Sequence, residues 1–527
     1  MNLDSITTLP ELLAFRAQES GDGTAFTFGG RDYSFAALWL GAQRAANHLL
    51  NLGLAKADRV RIALPNGAEF FSALYGTQLA AGIAVPIYPE SGPERLLALA
   101  RLCGARLVVL PVAGAVGIRH ACLEAGLCVL SVEESVALEP LASFPPLDTD
   151  HVAFIQYTSG STGNPKGVML SHRNLLTNAR QMIAGMQITA QDVFVSWLPV
   201  YHDMGLILMT ICPLYVGTTV HLLPADIRDA RSWLQVIQQQ RATFTAAPDF
   251  AYRLLMRYVQ APGRFDLSSL RVALNAAEPV RMQTMRDFES AFGLRDVITA
   301  GYGLAETTVG VSMSSPGSGL RPDARGLVSV GRPFPGVEIR IVDGRHILPS
   351  GQIGEIAIRS AANSLGYLDN PKATSELQWG EGFILSGDMG YLDEAGELFI
   401  AGRRKSIIKR SGETIAPQEI EETVDSLPFV RYSAALGVDR GGFEGEQIYV
   451  FVELRSSERD SEALHAAALK VVRAVQGRMG FRPGRVYLLG ARAIPRTYNG
   501  KIQHALLRER YLDGRLRESG AILYPEY

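Results

Sequence analysis

Residues 157–167 read YTSGSTGNPKG and combine glycines, hydroxyl-bearing side chains and one lysine directly after the apolar run Val152–Ile155. Glycine, serine, threonine and asparagine are typical of solvated turns, so such a loop buries almost nothing. Its backbone N–H groups, its hydroxyls and the Lys166 ammonium are also suited to surrounding an anion. The spacing excludes a Walker A loop, because Lys166 is followed by Gly167 rather than by Ser or Thr. On its own the stretch leaves open a plain solvated loop and a different phosphate-binding loop.

Three further residues could do chemistry, and each has an ordinary alternative when taken alone. Glu306 in GYGLAETT could hold a hard cation or could cap a turn. Asp388 in GDMGYLD could accept two hydroxyl groups or could belong to a common β-turn. Lys501 in YNGKIQ could stabilise developing negative charge, although a single surface lysine is usually only solvated. Their meaning depends on which elements position them.

The run Arg59–Ile87 indicates the type of scaffold that carries these loops. RVRIAL is a short apolar run that ends at PNG, EFFSALYGTQLAAG has a helical pattern, and IAVPI is a second apolar run. Strand, helix and strand at this spacing predict a βαβ unit with a right-handed crossover. Val193–Leu198, Thr219–Leu223 and Val297–Thr299 have the composition of further strands between helical stretches. The sequence therefore predicts an α/β fold with layered parallel sheets in the large N-terminal part.

The pattern changes after about residue 325. VEIRIVDG, GEIAIRS and GELFIAGR are short alternating runs separated by glycines, which predict a small β-rich unit. A stretch dense in charge and glycine follows, and then IYVFVELR, a helix from about Ser461 to Met479, and RVYLLG predict a compact α+β domain. We expect a boundary at Lys405, with an N-terminal domain over 1–404 and a small mobile C-terminal domain over 405–527.

The composition excludes several classes of protein. With Lys+Arg 51 against Asp+Glu 53 the net charge is −2, so no basic excess indicates nucleic acid or an anionic membrane surface. The N-terminus lacks the basic and apolar regions of a signal peptide, and the longest apolar stretch, Phe194–Gly217, is interrupted by His202, Asp203 and prolines. The cysteines show no C-x-x-C spacing. We expect a cytoplasmic protein with reduced thiols, no nucleic-acid partner and no integral membrane segment.

Five motifs, taken in order, resemble those of the adenylate-forming superfamily, which includes acyl-CoA synthetases, fatty acyl-AMP ligases, adenylation domains and luciferases. The resemblance covers essentially the whole chain. It lies in YTSGSTGNPKGVMLSH for the phosphate loop, NAAEP (Asn275–Pro279) and GYGLAETT (Gly301–Thr308) for the nucleotide pocket, Leu385–Glu421 for the ribose site and hinge, and PRTYNGKIQ (Pro495–Gln503) for the lysine loop. It implies an enzyme that uses ATP and Mg²⁺, with coenzyme A or phosphopantetheine as the acyl acceptor.

The implied reaction joins a carboxylate to the α-phosphate of ATP and releases pyrophosphate. Because two anions must meet, catalysis is expected to depend on positioning and on cationic and N–H stabilisation. Glu306 and Thr158 would hold Mg²⁺, and Thr307 would hydrogen-bond the α-phosphate. The residues that would surround the β- and γ-phosphates are Thr158, Ser159, Gly160, Ser161, Thr162, Gly163 and Lys166.

The resemblance also implies roles along the rest of the chain. Asp388 would accept both ribose hydroxyls and Arg403 would bind the same ribose. Lys501 would bridge the carboxylate and the α-phosphate, and Lys405 would be the hinge about which the small domain rotates. The implied catalytic residues are Lys501, Glu306, Thr158 and His202. The implied nucleotide pocket consists of Ala276, Ala277, Glu278, Gly301, Tyr302, Gly303 and Thr307, with the Tyr302 ring stacked on adenine.

WLPVYHDMGLI (Trp197–Ile207) lies where the family builds its acid pocket. Amino-acid adenylation domains usually carry an acidic residue where His202 stands, so a fatty or other non-α-amino acid is expected. Asp203 is adjacent and leaves an amine-bearing acid open, and His202 could also be a histidine of the core. The expected pocket residues are Tyr201, His202, Asp203, Gly205, Asn275 and Gly301.

The acyl acceptor remains open at this point. Acyl-AMP ligases typically insert a segment after GYGLAE, but Val309–Gly326 is short, and IIKRSGETIAPQEIE resembles the loop of thioester-forming enzymes. Transfer to a pantetheine thiol of coenzyme A or of a carrier protein is therefore the leading hypothesis. The alternatives are a fatty acyl-AMP ligase that hands acyl-AMP only to a carrier protein, and an ATP-binding regulatory pseudoenzyme. The presence of Lys501, Glu306, Asp388 and Arg403 disfavours the pseudoenzyme.

Overall fold

A computed structural model describes residues 3–89, 92–113, 115–158, 165–226, 230–259, 261–410, 413–439, 446–456, 460–496 and 502–525. Of the predicted site residues, Ser159, Gly160, Ser161, Thr162, Gly163 and Lys501 lie outside the described residues.

The helices cover the faces of the sheets, and several begin at side-chain caps. Thr8 forms a capping box with Glu11, and Ser171 forms one with Asn174, so each satisfies backbone donors of a first turn. The α-helices are α1 (Leu9–Glu19), α2 (Phe35–Asn51), α3 (Ala68–Leu79), α4 (Pro93–Cys103), α5 (Val116–Glu124), α6 (His172–Met186), α7 (Cys212–Val216), α8 (Ala230–Gln240), α9 (Asp249–Tyr258), α10 (Met282–Phe292), α11 (Pro371–Leu377), α12 (Pro417–Asp425), α13 (Ser461–Met479), α14 (His504–Leu512) and α15 (Arg515–Glu518).

The first strands of the chain are β1 (Thr24–Phe28), β2 (Arg31–Ser34), β3 (Arg59–Ile62), β4 (Ile83–Pro86), β5 (Leu107–Val109), β6 (Cys128–Leu130), β7 (Val152–Thr158) and β8 (Lys166–Ser171). One sheet has the order β6-β5-β3-β4-β7-β8 and is parallel except for the antiparallel pair β7–β8. The predicted βαβ unit is confirmed, because β3 and β4 are parallel neighbours joined through α3.

A second sheet has the order β15-β14-β13-β12-β11-β9-β10-β1-β2. Its central strands are parallel, so their carboxyl ends meet at one edge, where a ligand commonly binds in α/β folds. The strands predicted at Val193–Leu198, Thr219–Leu223 and Val297–Thr299 are confirmed with shifted bounds. The further strands of this sheet are β9 (Phe194–Ser196), β10 (Val220–Leu222), β11 (Phe244–Ala247), β12 (Val272–Asn275), β13 (Ile298–Tyr302), β14 (Ser312–Met313) and β15 (Arg332–Pro333).

The long apolar stretch Phe194–Gly217 runs through the interior of the protein. It forms β9, a π-helix over Met204–Ile211 whose residues are all buried, and α7. Across the described ranges, no helix has both the length and the apolar character needed to cross a membrane.

The predicted β-rich unit is an antiparallel sheet with the order β17-β16-β18-β20-β19, and one further strand pairs with β20. Its strands are β16 (Glu338–Asp343), β17 (His346–Ile347), β18 (Gly354–Arg359), β19 (Gln378–Trp379), β20 (Phe383–Leu392) and β21 (Leu398–Arg403).

Beyond β21 the chain builds a separate α+β unit, called here the C-terminal unit. It has a sheet of order β24-β25-β26-β27 and its own apolar core, to which α12 and α13 contribute Ile420 and Val471. Lys405 lies exposed in the segment between β21 and this unit. The remaining strands are β22 (Ile408–Arg410), β23 (Glu413–Ile415), β24 (Val430–Val438), β25 (Gln447–Leu454), β26 (Arg485–Leu489) and β27 (Ile522–Tyr524).

Gly303 tests how tightly the loop after β13 is packed. A Cβ atom added there would lie 1.5 Å from the carbonyl oxygen of Val309, whereas one added at Gly477 in α13 would meet nothing within 4 Å. We expect Gly303→Ala to lower the free energy of unfolding by about 2 kcal/mol or more, because overpacking displaces backbone. Gly477→Ala should be neutral or should stabilise by about 0.5–1 kcal/mol through helix propensity. Scanning calorimetry measures both, and an unchanged transition in Gly303→Ala would contradict the packing.

Candidate functional site

The best-defined polar contact of the site is centred on the carboxylate of Asp388. Asp388 on β20 pairs directly with Arg403 on β21, and Arg403 Nε lies 2.9 Å from Asp388 Oδ1. The hydroxyl of Tyr302, the last residue of β13, donates to Asp388 Oδ2 over 2.7 Å. The Asp388 side chain is 8% exposed, so the carboxylate is largely shielded from water. One carboxylate therefore joins the second sheet to the β-rich unit.

The surroundings of Asp388 fix the charge states of its partners. Burial, and then the negative charge of Asp388, raise the pKa of Tyr302 well above its usual value, so the phenol keeps its proton and stays a donor. Asp388 also raises the pKa of Arg403. The backbone N–H of Asp388 donates to Ser386 Oγ over 3.1 Å, which orients this part of β20. The predicted ribose residues Asp388 and Arg403 and the predicted adenine residue Tyr302 thus form one cluster.

A second cluster connects the glycine-rich loop to the loop that follows β13. The hydroxyl of Tyr367 donates to Glu306 Oε1 over 2.7 Å, and Lys166 Nζ lies 4.5 Å from the centroid of the Tyr367 ring. Burial and then Glu306 raise the pKa of Tyr367, so this phenol also stays a donor. Tyr367 therefore brings Lys166 and Glu306 against one side chain. Sequence reasoning missed Tyr367, which lies in the fragment SLGYLDN outside the five motifs.

Thr158 and Lys166 are cross-strand neighbours in the β7–β8 pair. The two ends of YTSGSTGNPKG therefore lie side by side. Gln156 on β7 donates through Nε2 to the carbonyl oxygen of Tyr201 over 3.2 Å, which connects this hairpin to the predicted acid pocket.

The loop after β13 places Glu306 and Thr307 in a short 3₁₀-helix, Ala305–Thr307. The Thr307 hydroxyl donates to the carbonyl oxygen of Leu304 over 2.9 Å, and the residue is 1% exposed. The predicted bond from Thr307 to a phosphate would thus need this hydroxyl to change partners. Gly301 packs closely against Leu274, since an added Cβ would lie 2.9 Å from a Leu274 methyl carbon.

The NAAEP segment begins at Asn275, the last residue of β12, at the carboxyl-end edge of the second sheet. Asn275 Nδ2 donates to Asp249 Oδ1 over 3.2 Å, and Asn275 Oδ1 is buried without a hydrogen-bond partner in the part of the chain that the structure describes. Ala277 has a φ of 71°, a left-handed conformation that turns the chain here. Ala276 is half-buried and packs against the main apolar core. The segment thus turns beside a buried acceptor that a ligand donor could satisfy.

Glu278 faces the start of α9. Its Oε1 accepts from the backbone N–H of Phe250 over 2.6 Å, and burial, followed by the charge of Asp249, raises its pKa. The structure therefore gives Glu278 a protein partner, and its predicted contact with adenine stays a prediction.

The predicted acid-pocket residues lie at the start of the π-helix. Asp203 Oδ1 accepts from the backbone N–H of Met204 and lies 2.7 Å from His202 Nδ1. The His202 side chain is 26% exposed, so it is not a fully enclosed core histidine. The Tyr201 ring meets that of Tyr88 edge-on at 5.5 Å. Gly205 has no room for a side chain, because a Cβ there would lie 2.1 Å from the Pro199 carbonyl oxygen.

A metal ion would have few protein ligands here. Within the described ranges, no group of three or more His, Cys, Asp and Glu residues could hold one. Glu306 supplies a single carboxylate, a donor set that fits Mg²⁺ when substrate phosphates and water complete its coordination.

Comparisons with known proteins identify the family to which the chain belongs. The family described as AMP-binding enzyme matches residues 13–368. The medium-chain-fatty-acid–[acyl-carrier-protein] ligase JamA of Moorena producens is 32% identical over 516 residues, covering 87% of this chain and 86% of the relative. The sulfoacetate–CoA ligase of Cupriavidus necator is 31% identical over 516 residues, covering 95% and 97%.

A solved structure from a study of fatty acyl-adenylate ligases of E. coli and L. pneumophila matches with a TM-score of 0.87 and 28% identity. The match covers 98% of this chain and all of that one (100%). The family match extends over more than half of the chain, and the relatives align along most of its length. The chain therefore belongs to the AMP-binding enzyme family, and it is an adenylate-forming acid–thiol ligase.

Proposed function

We propose that this enzyme uses Mg·ATP to convert a fatty or other non-α-amino carboxylic acid to acyl-AMP and then transfers the acyl group to a pantetheine thiol. In the first step a carboxylate oxygen bonds to the α-phosphorus while the bond to the bridging oxygen breaks, and pyrophosphate leaves. In the second step the thiolate sulfur bonds to the acyl carbon. The bond between that carbon and the phosphate oxygen of AMP breaks, and AMP leaves. The Asp388–Tyr302–Arg403 cluster carries the proposal.

That cluster has the properties that ribose recognition requires. A carboxylate can accept hydrogen bonds from two neighbouring hydroxyls, and Asp388 is held in place by a phenol and a guanidinium. Arg403 is 60% exposed, so its guanidinium can reach the same sugar. The buried oxygen Asn275 Oδ1 is an acceptor that the substrate can satisfy. The other residues proposed to line the nucleotide are Ala276, Ala277, Glu278, Gly301, Gly303 and Thr307.

The phosphates are proposed to lie between Lys166 and Glu306. Lys166 would supply positive charge, and Thr158 and Glu306 would hold Mg²⁺, which offsets the charge of the departing pyrophosphate. Their shared contact with Tyr367 supports this arrangement. The segment Ser159–Gly163 would contribute backbone N–H groups, and Lys501 would bridge the carboxylate and the α-phosphate.

The acid is proposed to enter beside Tyr201, His202 and Gly205. The Asp203 carboxylate is occupied by His202 and by the Met204 N–H, so it is a poor receptor for a substrate amine. This arrangement supports a fatty or other non-α-amino acid.

The acceptor is proposed to be coenzyme A or a carrier-protein phosphopantetheine. Relatives of each kind exist, since one is a ligase to an acyl carrier protein and another is a CoA ligase. We further propose that the domain boundary is Lys405, that the C-terminal unit rotates there between the two steps, and that the enzyme works in the cytoplasm.

Mass spectrometry of the purified protein with Mg·ATP and a panel of fatty, aryl and α-amino acids tests the proposed function. Formation of acyl-AMP from one non-α-amino acid, and of its thioester when CoA or a phosphopantetheinylated carrier protein is added, is the expected result. Adenylate that no thiol accepts would contradict the transfer step and favour an acyl-AMP ligase. No adenylate from any acid would contradict the function and favour an ATP-binding regulatory protein.

The ribose assignment predicts how substitutions at Asp388 and Tyr302 affect ATP use. Asp388→Asn keeps the shape and removes the charge, so kcat/KM for ATP should fall by about 100-fold. Tyr302→Phe removes one hydrogen bond to a charged group and should cost about 10-fold. Pyrophosphate exchange measures both effects.

A matched control is Asp150→Asn. Asp150 lies on the surface, where its Oδ1 is 2.6 Å from Arg173 Nε, so this substitution should leave ATP use unchanged. Normal kcat/KM for ATP in Asp388→Asn would contradict the assignment.

A further inference from the structure

The two units meet at a group of charged and aromatic side chains beside the proposed site, called here the junction cluster. It consists of Asp249, Arg253, Glu278 and Arg281 of the N-terminal unit and Glu421, Glu422, Asp425 and Tyr432 of the C-terminal unit.

An ion pair between Arg281 and Asp425 lies at the centre of the junction cluster. Arg281 Nη1 lies 2.9 Å from Asp425 Oδ2, and the two side chains are 16% and 11% exposed. The other Asp425 oxygen accepts from Ser433 Oγ over 2.8 Å. The backbone N–H of Arg281 donates to Asp249 Oδ1, which also accepts from Asn275 Nδ2. Asp249 therefore connects the ion pair to Asn275, which is the last residue of β12 and a residue of the proposed pocket.

A stack of side chains forms a second contact between the units. The Arg253 guanidinium lies 5.7 Å from the centroid of the Tyr432 ring, and Arg496 lies 4.0 Å from the same centroid. Arg253 belongs to the N-terminal unit, where its Nε is 3.0 Å from Asp249 Oδ2. Tyr432 and Arg496 belong to the C-terminal unit. The stack thus extends from α9 to the residue just before segment 497–501, which carries Lys501.

Both flanks of segment 497–501 are fixed near this contact. Arg496 and Ile502 form a β-bridge, and the N–H of Gln503 donates to the carbonyl oxygen of Pro495 over 2.9 Å. His504 Nε2 lies 2.6 Å from Glu421 Oε1, and Glu421 is on α12 together with Asp425. The flanks of the lysine segment and the residue paired with Arg281 therefore belong to one connected structure.

The junction cluster is rich in carboxyl groups, so the positive charge of Arg281 is important for the stability of the docked arrangement. Burial raises the pKa of Glu278 and of Asp425, and it raises that of Glu422 to about 7. Burial alone would lower the pKa of Arg281, but the neighbouring carboxylates, Asp425 first, raise it above its usual value. Removing one partner of a buried pair leaves an uncompensated charge, which disfavours the docked arrangement.

We propose that Arg281 and Asp425 are positioning residues that dock the C-terminal unit against the N-terminal unit, beside the proposed nucleotide pocket, for acyl-AMP formation. The proposal rests on the proposed two-step function. In it the ion pair stabilises the adenylating arrangement and must separate before the thiol reacts. Its expected signature is a loss of the first half-reaction without a matching loss of the second.

The test compares the two half-reactions in Arg281→Met and Asp425→Asn, with Arg281→Lys as the conservative variant. Pyrophosphate exchange should slow by about 10- to 100-fold in Arg281→Met, whereas thiolation of supplied acyl-AMP should change by less than about threefold. Asp425→Asn keeps its shape beside Ser433 and should show the same pattern. Arg281→Lys should recover part of the exchange rate, and the double variant should lose less than the product of the single losses.

Two comparators define the scale of the effect. Lys501→Ala should lose pyrophosphate exchange and keep thiolation of supplied acyl-AMP. This variant gives the largest difference expected between the two half-reactions. Arg106→Met removes an exposed arginine that is paired with Asp58 at 2.9 Å within the N-terminal unit, and it should alter neither half-reaction.

Hydrogen exchange provides a readout that does not depend on activity. Arg281→Met should raise amide exchange about tenfold in α9 and α12 while β26, in the core of the C-terminal unit, keeps its rates, because only the docked surface opens. Unchanged exchange at α9 and α12 would overturn the docking, even if the wild-type protein adenylates none of the acids tested. Equal losses in both half-reactions, or a selective loss of thiolation, would overturn the positioning role.

Discussion

The carboxylate of Asp388 is the point on which the arrangement of the site depends. It accepts from Tyr302 at the end of β13 and pairs with Arg403 across β20 and β21, so three strands of two sheets meet at one group. A buried carboxylate is costly unless it is hydrogen-bonded and paired, and here both conditions hold. The same contacts that make burial tolerable also fix the orientation of the carboxylate.

Much of the fold follows from local sequence pattern. The βαβ unit over Arg59–Ile87 appears in the structure because β-branched runs alternate with an apolar helix at the spacing that a crossover needs. The helix expected from about Ser461 to Met479 has those bounds, since Asp460 caps its start and Gly480 ends it in a left-handed conformation. The motifs proposed to bind the phosphates and the ribose were also recognisable, because each is a short contiguous segment.

Contacts between distant segments were not predictable in the same way. Tyr367 lies against Lys166 and Glu306 only because the β-rich unit folds over the β7–β8 pair, and no local pattern records that contact. The junction cluster is a similar case, since Arg281 and Asp425 meet only when two separately built cores dock. Glu278 was expected at adenine, and its hydrogen bond to the Phe250 N–H depends on where α9 begins. Sequence motifs therefore predicted the residues of the candidate site, whereas tertiary packing determined how those residues contact one another.

A crystal structure with a hydrolysis-resistant acyl sulfamoyl adenosine is the most direct test of the central claim, which is that Asp388 organises a nucleotide site between the second sheet and the β-rich unit. We expect both ribose hydroxyls within hydrogen-bonding distance of the Asp388 carboxylate, with Tyr302 and Arg403 still in contact with the same group. The acyl chain should point toward the start of the π-helix at Tyr201 and His202. An adenosine bound elsewhere, with the Asp388 cluster unchanged and unliganded, would contradict the account.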